Sequence, residues 1–182
     1  MASNEMEARG RLRVVQYGFL VVAVALLAFG LGYRRKQSGN IAPVGSRKAM
    51  PELVLDQLDG GTWRMVDHRG QVVLINYWAT WCGPCLEEMP GLVRLAREKK
   101  GLAVVGVSMD EGDRKKVRDF VGRFQIPYPV VFPEAMSQMG AGMVGLPTTI
   151  LVDRSGRVAK TYVGAVRRRD FEADVDVLLG ER

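Results

Sequence analysis

The 182-residue chain has only two cysteines and one histidine, and these shortages narrow its chemistry at once. A structural zinc site takes four ligands, commonly cysteine and histidine; Cys82, Cys85 and His68 do not make a set of four, and His68 stands in a polar turn. Covalent c-type haem attachment needs histidine directly after the second cysteine of a C-x-x-C, and Leu86 stands there instead. A basic surplus is also missing where it would matter. The whole chain carries +6, but the residues after 37 carry only +2, which does not suggest a nucleic-acid partner. There is no internal repeat, and no cysteine follows the N-terminal apolar run to suggest a lipoprotein.

What the chain does have is both cysteines inside Trp81-Cys82-Gly83-Pro84-Cys85, a spacing at which two thiols on one helical turn close a disulfide reversibly. The motif follows the apolar run 72–77 and opens a helix-compatible segment, so Cys82 is expected at a helix N-terminus. Unpaired amides and the macrodipole there favour a thiolate, lower its pKa and make Cys82 the attacking sulfur, with Cys85 resolving. A static bridge is the alternative use of the pair. A three-residue separation closes too small a loop to restrict the unfolded chain much, which favours redox chemistry.

The surrounding residues carry a family resemblance. The run from Asn76 through Trp78, Thr80 and Trp81 to Cys85 resembles the active-site segment of the thioredoxin superfamily, and Gly145-Leu146-Pro147-Thr148 resembles its cis-proline loop. Val163-Gly164-Ala165 is similar to the glycine loop that completes the family's substrate groove. The resemblance covers roughly residues 50–179 and implies a cis Leu146–Pro147 bond facing the disulfide. Two departures narrow it. Asn76, which cannot titrate, replaces the aspartate of ordinary thioredoxin, and Cys85-Leu86-Glu87-Glu88-Met89-Pro90 resembles the CxxExP pattern of membrane-anchored thiol-disulfide oxidoreductases of the ResA/TlpA type. Glu88, at i+3 from Cys85, shares its side of the helix, whereas Glu87 does not. The resemblance gives Glu88 the proton-transfer role near the buried thiol, and Pro90 is expected to kink the helix.

Residues 14–33 are almost wholly apolar, and twenty residues at about 1.5 Å rise each match a bilayer core of about 30 Å. A membrane anchor is therefore expected there. A cleaved signal peptide is the rival, since Ala28-Phe29-Gly30 has a small-x-small pattern, but the run is long for one. The flanking charges, Arg9, Arg11 and Arg13 before the span against Arg34, Arg35 and Lys36 after it, lean slightly toward a cytoplasmic C-terminus. Folded domains cross regardless of flank charge, and the resembled family sits outside the cytoplasm, so an extracytoplasmic (periplasmic) catalytic domain on a single-pass anchor is expected.

The expected organisation is a short tail at 1–13, the transmembrane anchor at 14–33, a linker at 34–50 and a thioredoxin-like α/β domain at 51–182. Within that domain, strands at 53–55 and 63–66 flank the Gly60-Gly61 turn as an N-terminal β-hairpin. A strand-helix-strand unit follows at 72–77, 82–99 and 102–109. Val117, Phe120, Val121 and Phe124 have helical spacing and mark a central insertion before a strand at 128–132. Strands at 148–153 and 158–163 bracket Arg154-Ser155-Gly156, and Phe171, Val175 and Leu178 stripe a last helix.

The resulting expectation is a protein thiol-disulfide oxidoreductase without a cofactor or metal. Cys82 attacks a substrate disulfide, Cys85 resolves the mixed disulfide with help from Glu88, and the substrate leaves reduced. Catalysis is assigned to Cys82, Cys85, Glu88 and Pro147, and substrate binding to Trp81, Gly83, Pro84, Leu146 and Gly164, with backbone beside Pro147 pairing with an extended segment. The resemblance implies a disulfide-containing protein substrate, with cytochrome c maturation as the pathway, and a membrane electron donor. A different-class alternative is a tethered copper-delivery or chaperone-like module that grips through CxxC without turnover. Met136, Met139 and Met143 could line a helical face as soft Cu(I) ligands, but packing is the commoner use of methionine, and Gly140 and Gly142 weaken that helix. Ala28 and Gly32 form one small-xxx-small pair, weak support for a dimer. Arg167-Arg168-Arg169 reads as a solvated basic turn. The peroxiredoxin signature P-x-x-x-T-x-x-C is absent, because Ala79 stands three residues before Cys82.

Overall fold

The computed structural model describes residues 41–112, 114–133 and 145–181. The expected anchor at 14–33 and the three methionines Met136, Met139 and Met143 lie outside them. Among the described residues no helix is long and apolar enough to cross a membrane.

Among the described residues seven strands form one mixed sheet: β1 (Val54–Gln57), β2 (Thr62–Arg64), β3 (Val72–Trp78), β4 (Leu102–Ser108), β5 (Val130–Phe132), β6 (Thr148–Val152) and β7 (Val158–Val163). Their spatial order is β2-β1-β5-β4-β3-β6-β7. β3 runs parallel to β4, and β4 to β5, while β6 and β7 return antiparallel beyond β3. The expected hairpin is β1–β2, closed through Gly60 and Gly61 at φ +94° and +84°, a left-handed conformation that glycine adopts without a Cβ clash. The hairpin joins the main sheet through β1, which pairs antiparallel with β5.

β3 is buried at every residue, as a run of Val, Leu, Ile and aromatic side chains must be when both faces of a central strand are covered. On one face lie α1 (Gly83–Glu98), α2 (Arg114–Phe124) and α3 (Arg168–Gly180), packed through Met89, Leu92, Phe120, Phe171 and Val175 against Leu74, Trp78 and Val104. On the other, Met50, Leu53, Trp63 and Met65 cover Val73, Ile75, Tyr77 and Val105. Gly106 on β4 lies under the Trp78 indole, where a Cβ would come within 2.8 Å of Nε1. The same indole stacks on Phe120 at 4.6 Å.

Residues 41–50, within the expected linker, are fastened to the domain. Ala42 N–H donates to Ala159 O at 2.9 Å, Val158 N–H to Lys48 O at 2.8 Å and Met50 N–H to Gly156 O at 2.9 Å. Arg47, itself buried, donates to Asp153 at 3.1 Å and makes a forked pair with Glu181 at 2.6 and 2.7 Å. One guanidinium thus ties the start of the described chain, the β6–β7 turn and the end of α3 together.

Candidate active site

β3 ends at Trp78, and the chain turns through Ala79, Thr80 and Trp81 into α1. Cys82 is the N-cap of that helix, so the sequence expectation of a helix-terminal cysteine is what the backbone shows. Gly83 and Pro84 form its first two positions, where proline's missing N–H leaves no intrahelical bond unmade. α1 then continues through Pro90 to Glu98. Cys82 and Cys85 are joined as a disulfide, with Cα atoms 5.3 Å apart. Cys85 N–H donates to Cys82 Sγ at 3.3 Å, a donor that would favour the thiolate of Cys82 once the bond is reduced. Cys85 is fully buried and Cys82 is 5 % exposed, so the Cys82 sulfur is the more approachable of the two residues.

The loop preceding Cys82 is held from β4. Thr80 donates through its N–H and its hydroxyl to the Asp110 carboxylate, and Ser108 Oγ donates to the same group at 3.1 Å. Sequence reading missed Asp110, because its partner is 30 residues away and the contact depends on β3 and β4 lying side by side.

The expected groove residues gather at the same end of the sheet. The Leu146–Pro147 peptide is cis, and Pro147 is buried at the head of β6. Gly164 N–H donates to Pro147 O at 2.8 Å, tying the end of β7 to the proline loop, and Gly164 sits at φ +87°, in the left-handed region. Leu146 is half-buried against the core cluster that contains both cysteines. Trp81 and Val163 project into solvent at 65 % and 57 % exposure, apolar surface placed beside the disulfide and at the end of β7 respectively. Gly83 and Pro84 are exposed on the first turn of α1.

Glu88 is buried one turn beyond Cys85, at 4 % exposure, while Glu87 is exposed. Glu88 Oε1 accepts from Asn76 Nδ2 at 2.8 Å, and Oε2 accepts from Val166 N–H at 3.1 Å. Asn76 Nδ2 also donates to Thr149 Oγ1 at 2.9 Å. Burial pushes the Glu88 carboxyl up to about 7, against the opposing pull of the Val166 and Asn76 donors. That places it where a proton is gained or lost near neutrality. A cleft of about 380 Å³, lined by Glu87, Glu88, Gly91, Arg94, Val166 and Arg167 among others, adjoins it. From the sequence Asn76 is only a residue that cannot titrate; that it braces Glu88 follows from the packing of α1 across β3, and that it also meets Thr149 follows from the β3–β6 register.

His68 stacks on Trp63 at 5.0 Å between ring centroids and lies within 3.2 Å of Gln71, away from the disulfide in the chain and in the sheet. Its half-buried stacking differs from the freely solvated histidine its polar turn suggests.

Known proteins resemble this arrangement along most of the chain. The family model described as Redoxin matches residues 43–179. A thiol-disulfide oxidoreductase ResA of Geobacillus thermodenitrificans is 32 % identical over 174 residues, covering 94 % of this chain and 98 % of that protein. The thioredoxin-like protein YneN of Bacillus subtilis is 29 % identical, covering 80 % and 85 %. Among solved structures, a secreted thiol-disulfide isomerase of Corynebacterium glutamicum superposes with a TM-score of 0.71 at 28 % identity, covering 78 % of this chain and 91 % of that one. With the disulfide at a helix N-terminus, the cis-proline loop and this breadth of similarity together, the chain belongs to the Redoxin family, among the thioredoxin-like thiol-disulfide oxidoreductases of the ResA/TlpA type.

Proposed function

We propose that the protein reduces disulfides of protein substrates outside the cytoplasm, held to the cytoplasmic membrane by residues 14–33, and that apocytochrome c cysteines awaiting haem are its substrates. The observation that carries the reductive mechanism is the buried Glu88 carboxyl on the Cys85 side of α1, poised at about 7 with no cation paired to it among the described residues. Relatives named as thiol-disulfide oxidoreductases support disulfide-containing substrates, and the apolar run at 14–33 supports the membrane tether.

In the reaction, the Cys82 thiolate attacks one sulfur of the substrate disulfide, that S–S bond breaks, and the departing substrate sulfur takes a proton from solvent. The Cys85 thiol then gives its proton to Glu88, and its thiolate attacks Cys82 Sγ. The second substrate sulfur leaves reduced, and Cys82–Cys85 is oxidised. A membrane dithiol donor returns two electrons to regenerate the enzyme. Trp81, Leu146, Pro147 and Gly164 bound the groove, and backbone groups beside Pro147 pair with the substrate segment. Gly83 and Pro84 leave the first turn of α1 without bulky side chains that would obstruct it.

The test is trapping on the full-length protein in cells. Cys85→Ser is expected to accumulate a mixed disulfide between Cys82 and apocytochrome c on non-reducing gels, and Cys82→Ser to accumulate far less. A reporter fused after Arg182 should be active only outside the cytoplasm. Trapping through Cys85 would reverse the order of attack, and a reporter active in the cytoplasm would remove both the compartment and the apocytochrome substrate. The copper-delivery alternative is separated by turnover, since a module that only grips copper would not catalyse disulfide reduction.

A further inference from the structure

Around Glu88 the geometry decides where its proton can reside. Oε2 accepts from the Val166 N–H, a backbone donor that cannot become an acceptor, so the proton is better placed on Oε1, which leaves Oε2 as the carbonyl oxygen and the stronger acceptor for that N–H. Oε1 faces a side-chain amide instead. In the ionised state Asn76 Nδ2 serves Oε1 and Thr149 Oγ1 together. Once Oε1 carries a proton directed at the amide, that same Nδ2 presents a donor to a donor. Asn76 Oδ1 is buried and has no partner among the described residues, and a half-turn of the amide brings it to where Nδ2 stood. There it accepts from the Glu88 Oε1–H, and from the Thr149 hydroxyl, which is free to rotate. Each orientation makes two hydrogen bonds and leaves one end of the amide unpaired, so no third bond locks either one.

We propose that Asn76 is a positioning residue whose side-chain amide reverses with the protonation of Glu88, holding the carboxylate through Nδ2 and the carboxylic acid through Oδ1, with Thr149 as its partner in both states. The proposal deepens, and rests on, the reading of Glu88 as acceptor of the Cys85 proton. It also gives Asn76 a physical purpose. An aspartate there would titrate itself and repel the Glu88 carboxylate, whereas a lysine or arginine would hold Glu88 ionised. An amide serves both forms without changing its own charge.

The other groups facing Glu88 cannot take this role. Cys85 precedes it by one turn of α1 as the proton source. The Tyr128 phenol donates to Met89 Sδ at 3.2 Å, and its own pKa is raised by burial and then by the Glu88 charge. Glu87, Arg94, Arg167 and Arg168 line the adjoining cleft, with Arg167 paired to Asp170 and Arg168 to Glu98 and Glu172; none of the four is hydrogen-bonded to Glu88.

The experiment is nuclear magnetic resonance on the full-length wild-type protein in its disulfide form, following Glu88 ¹³Cδ and the Asn76 Nδ2 hydrogens from acid to alkaline pH. Cross-relaxation from those hydrogens to Glu88 and Thr149 side-chain hydrogens is expected above the Glu88 midpoint and is expected to fade below it, with one shared midpoint. Cross-relaxation unchanged on both sides of the midpoint overturns the proposal. Asn76→Ala should raise the Glu88 midpoint, a shift of up to about tenfold in the ionised-to-protonated ratio at fixed pH, because the bond lost from the charged form is stronger than the bond lost from the acid. Thr149→Val should disturb the midpoint and Thr149→Ser restore it; a midpoint indifferent to both again overturns the proposal. Failure of the underlying reading is seen elsewhere: if Glu88→Gln leaves the pH profile of mixed-disulfide resolution unchanged, Glu88 is not the base, even where the amide follows its protonation.

Discussion

Two carboxyl groups in this domain are each 4 % exposed, Glu88 being the more deeply packed of the two, and they behave in opposite ways. Asp153 follows β6 at the end where that strand pairs with the start of β3, and Glu88 sits toward the other end, near Asn76 and Thr149. For both, burial is the first influence and favours the neutral acid. At Asp153 it is outweighed by the Arg157 N–H and by the guanidinium groups of Arg47 and Arg157, and the pKa falls below the ordinary value. At Glu88 the Val166 N–H and the Asn76 amide are both uncharged donors, and the pKa rises to about 7. The lesson is that burial alone does not set the protonation of an acid. A paired cation makes it a structural anion, and neutral donors leave it able to exchange a proton near neutrality.

The largest expected difference between the two ends is kinetic. Glu88→Gln should slow resolution of the Cys82 mixed disulfide by about 10² to 10⁴ near neutral pH, the usual worth of general-base assistance, while the initial attack changes little. In the wild type that step should accelerate as pH rises through about 7, because only ionised Glu88 accepts the proton. Stopped-flow measurement of the two steps checks both statements; an unchanged resolution rate in Glu88→Gln would erase the functional half of the comparison.

Next in size is Asp153→Ala. Removing one partner of a buried ion pair commonly destabilises by about 3 to 5 kcal/mol. Arg47 keeps Glu181, so about 2 to 3 kcal/mol is expected, read as a shift in urea midpoint with resolution kinetics unaltered in the folded protein. The pH signs also differ. The lowered Asp153 pKa contributes stability above its unfolded value of about 3.9, and that contribution disappears as pH falls through the folded value. The raised Glu88 pKa contributes its full relative stability below about 4.3, and this is lost as pH climbs to about 7.

A smaller effect sharpens the contrast. Above pH 7 the folded protein carries a buried Glu88 carboxylate, a penalty of about 3 kcal/mol from the size of its shift. Glu88→Gln in the disulfide form should therefore be more stable than wild type at pH 8 by about 1 to 2 kcal/mol, allowing for the weaker neutral hydrogen bonds, and nearly equal to it at pH 4. Equal denaturation midpoints at pH 8 would mean that the fold tolerates the charge without cost. The smallest effect belongs to Glu87→Gln, whose exposed side chain should leave resolution close to wild type and stability within about 0.5 kcal/mol.

Local chemistry made much of the fold legible. The Gly60-Gly61 turn, the apolar run of β3, the stripe Val117-Phe120 on α2 and the stripe Phe171-Val175-Leu178 on α3 all depend on neighbours a few residues away, and each strand lies where its pattern predicts to within two residues. The linker expectation at 34–50 drew on composition alone. It did not anticipate that 41–50 would be hydrogen-bonded along β7, since those bonds join residues more than a hundred positions apart.

By itself, then, the sequence determined the pair of cysteines at a helix start, their order in the chain, and a glutamate on the side of the helix that Cys85 occupies. Those are properties of one turn of α-helix and follow from its period. Tertiary structure alone decided what the glutamate would be. In the sequence Glu88 is one carboxyl of a helix and Asp153 one that follows an apolar strand. Only the register of β6 on β3, bringing Thr149 to Asn76, and the return of the chain after β7, bringing the Val166 N–H to Oε2, surround Glu88 with neutral donors, just as Arg47 reaches Asp153 from the far end of the chain. A carboxyl group's pKa is set by the charges and dipoles within a few ångströms of it, and which groups those are is fixed by long-range pairing that no local pattern encodes.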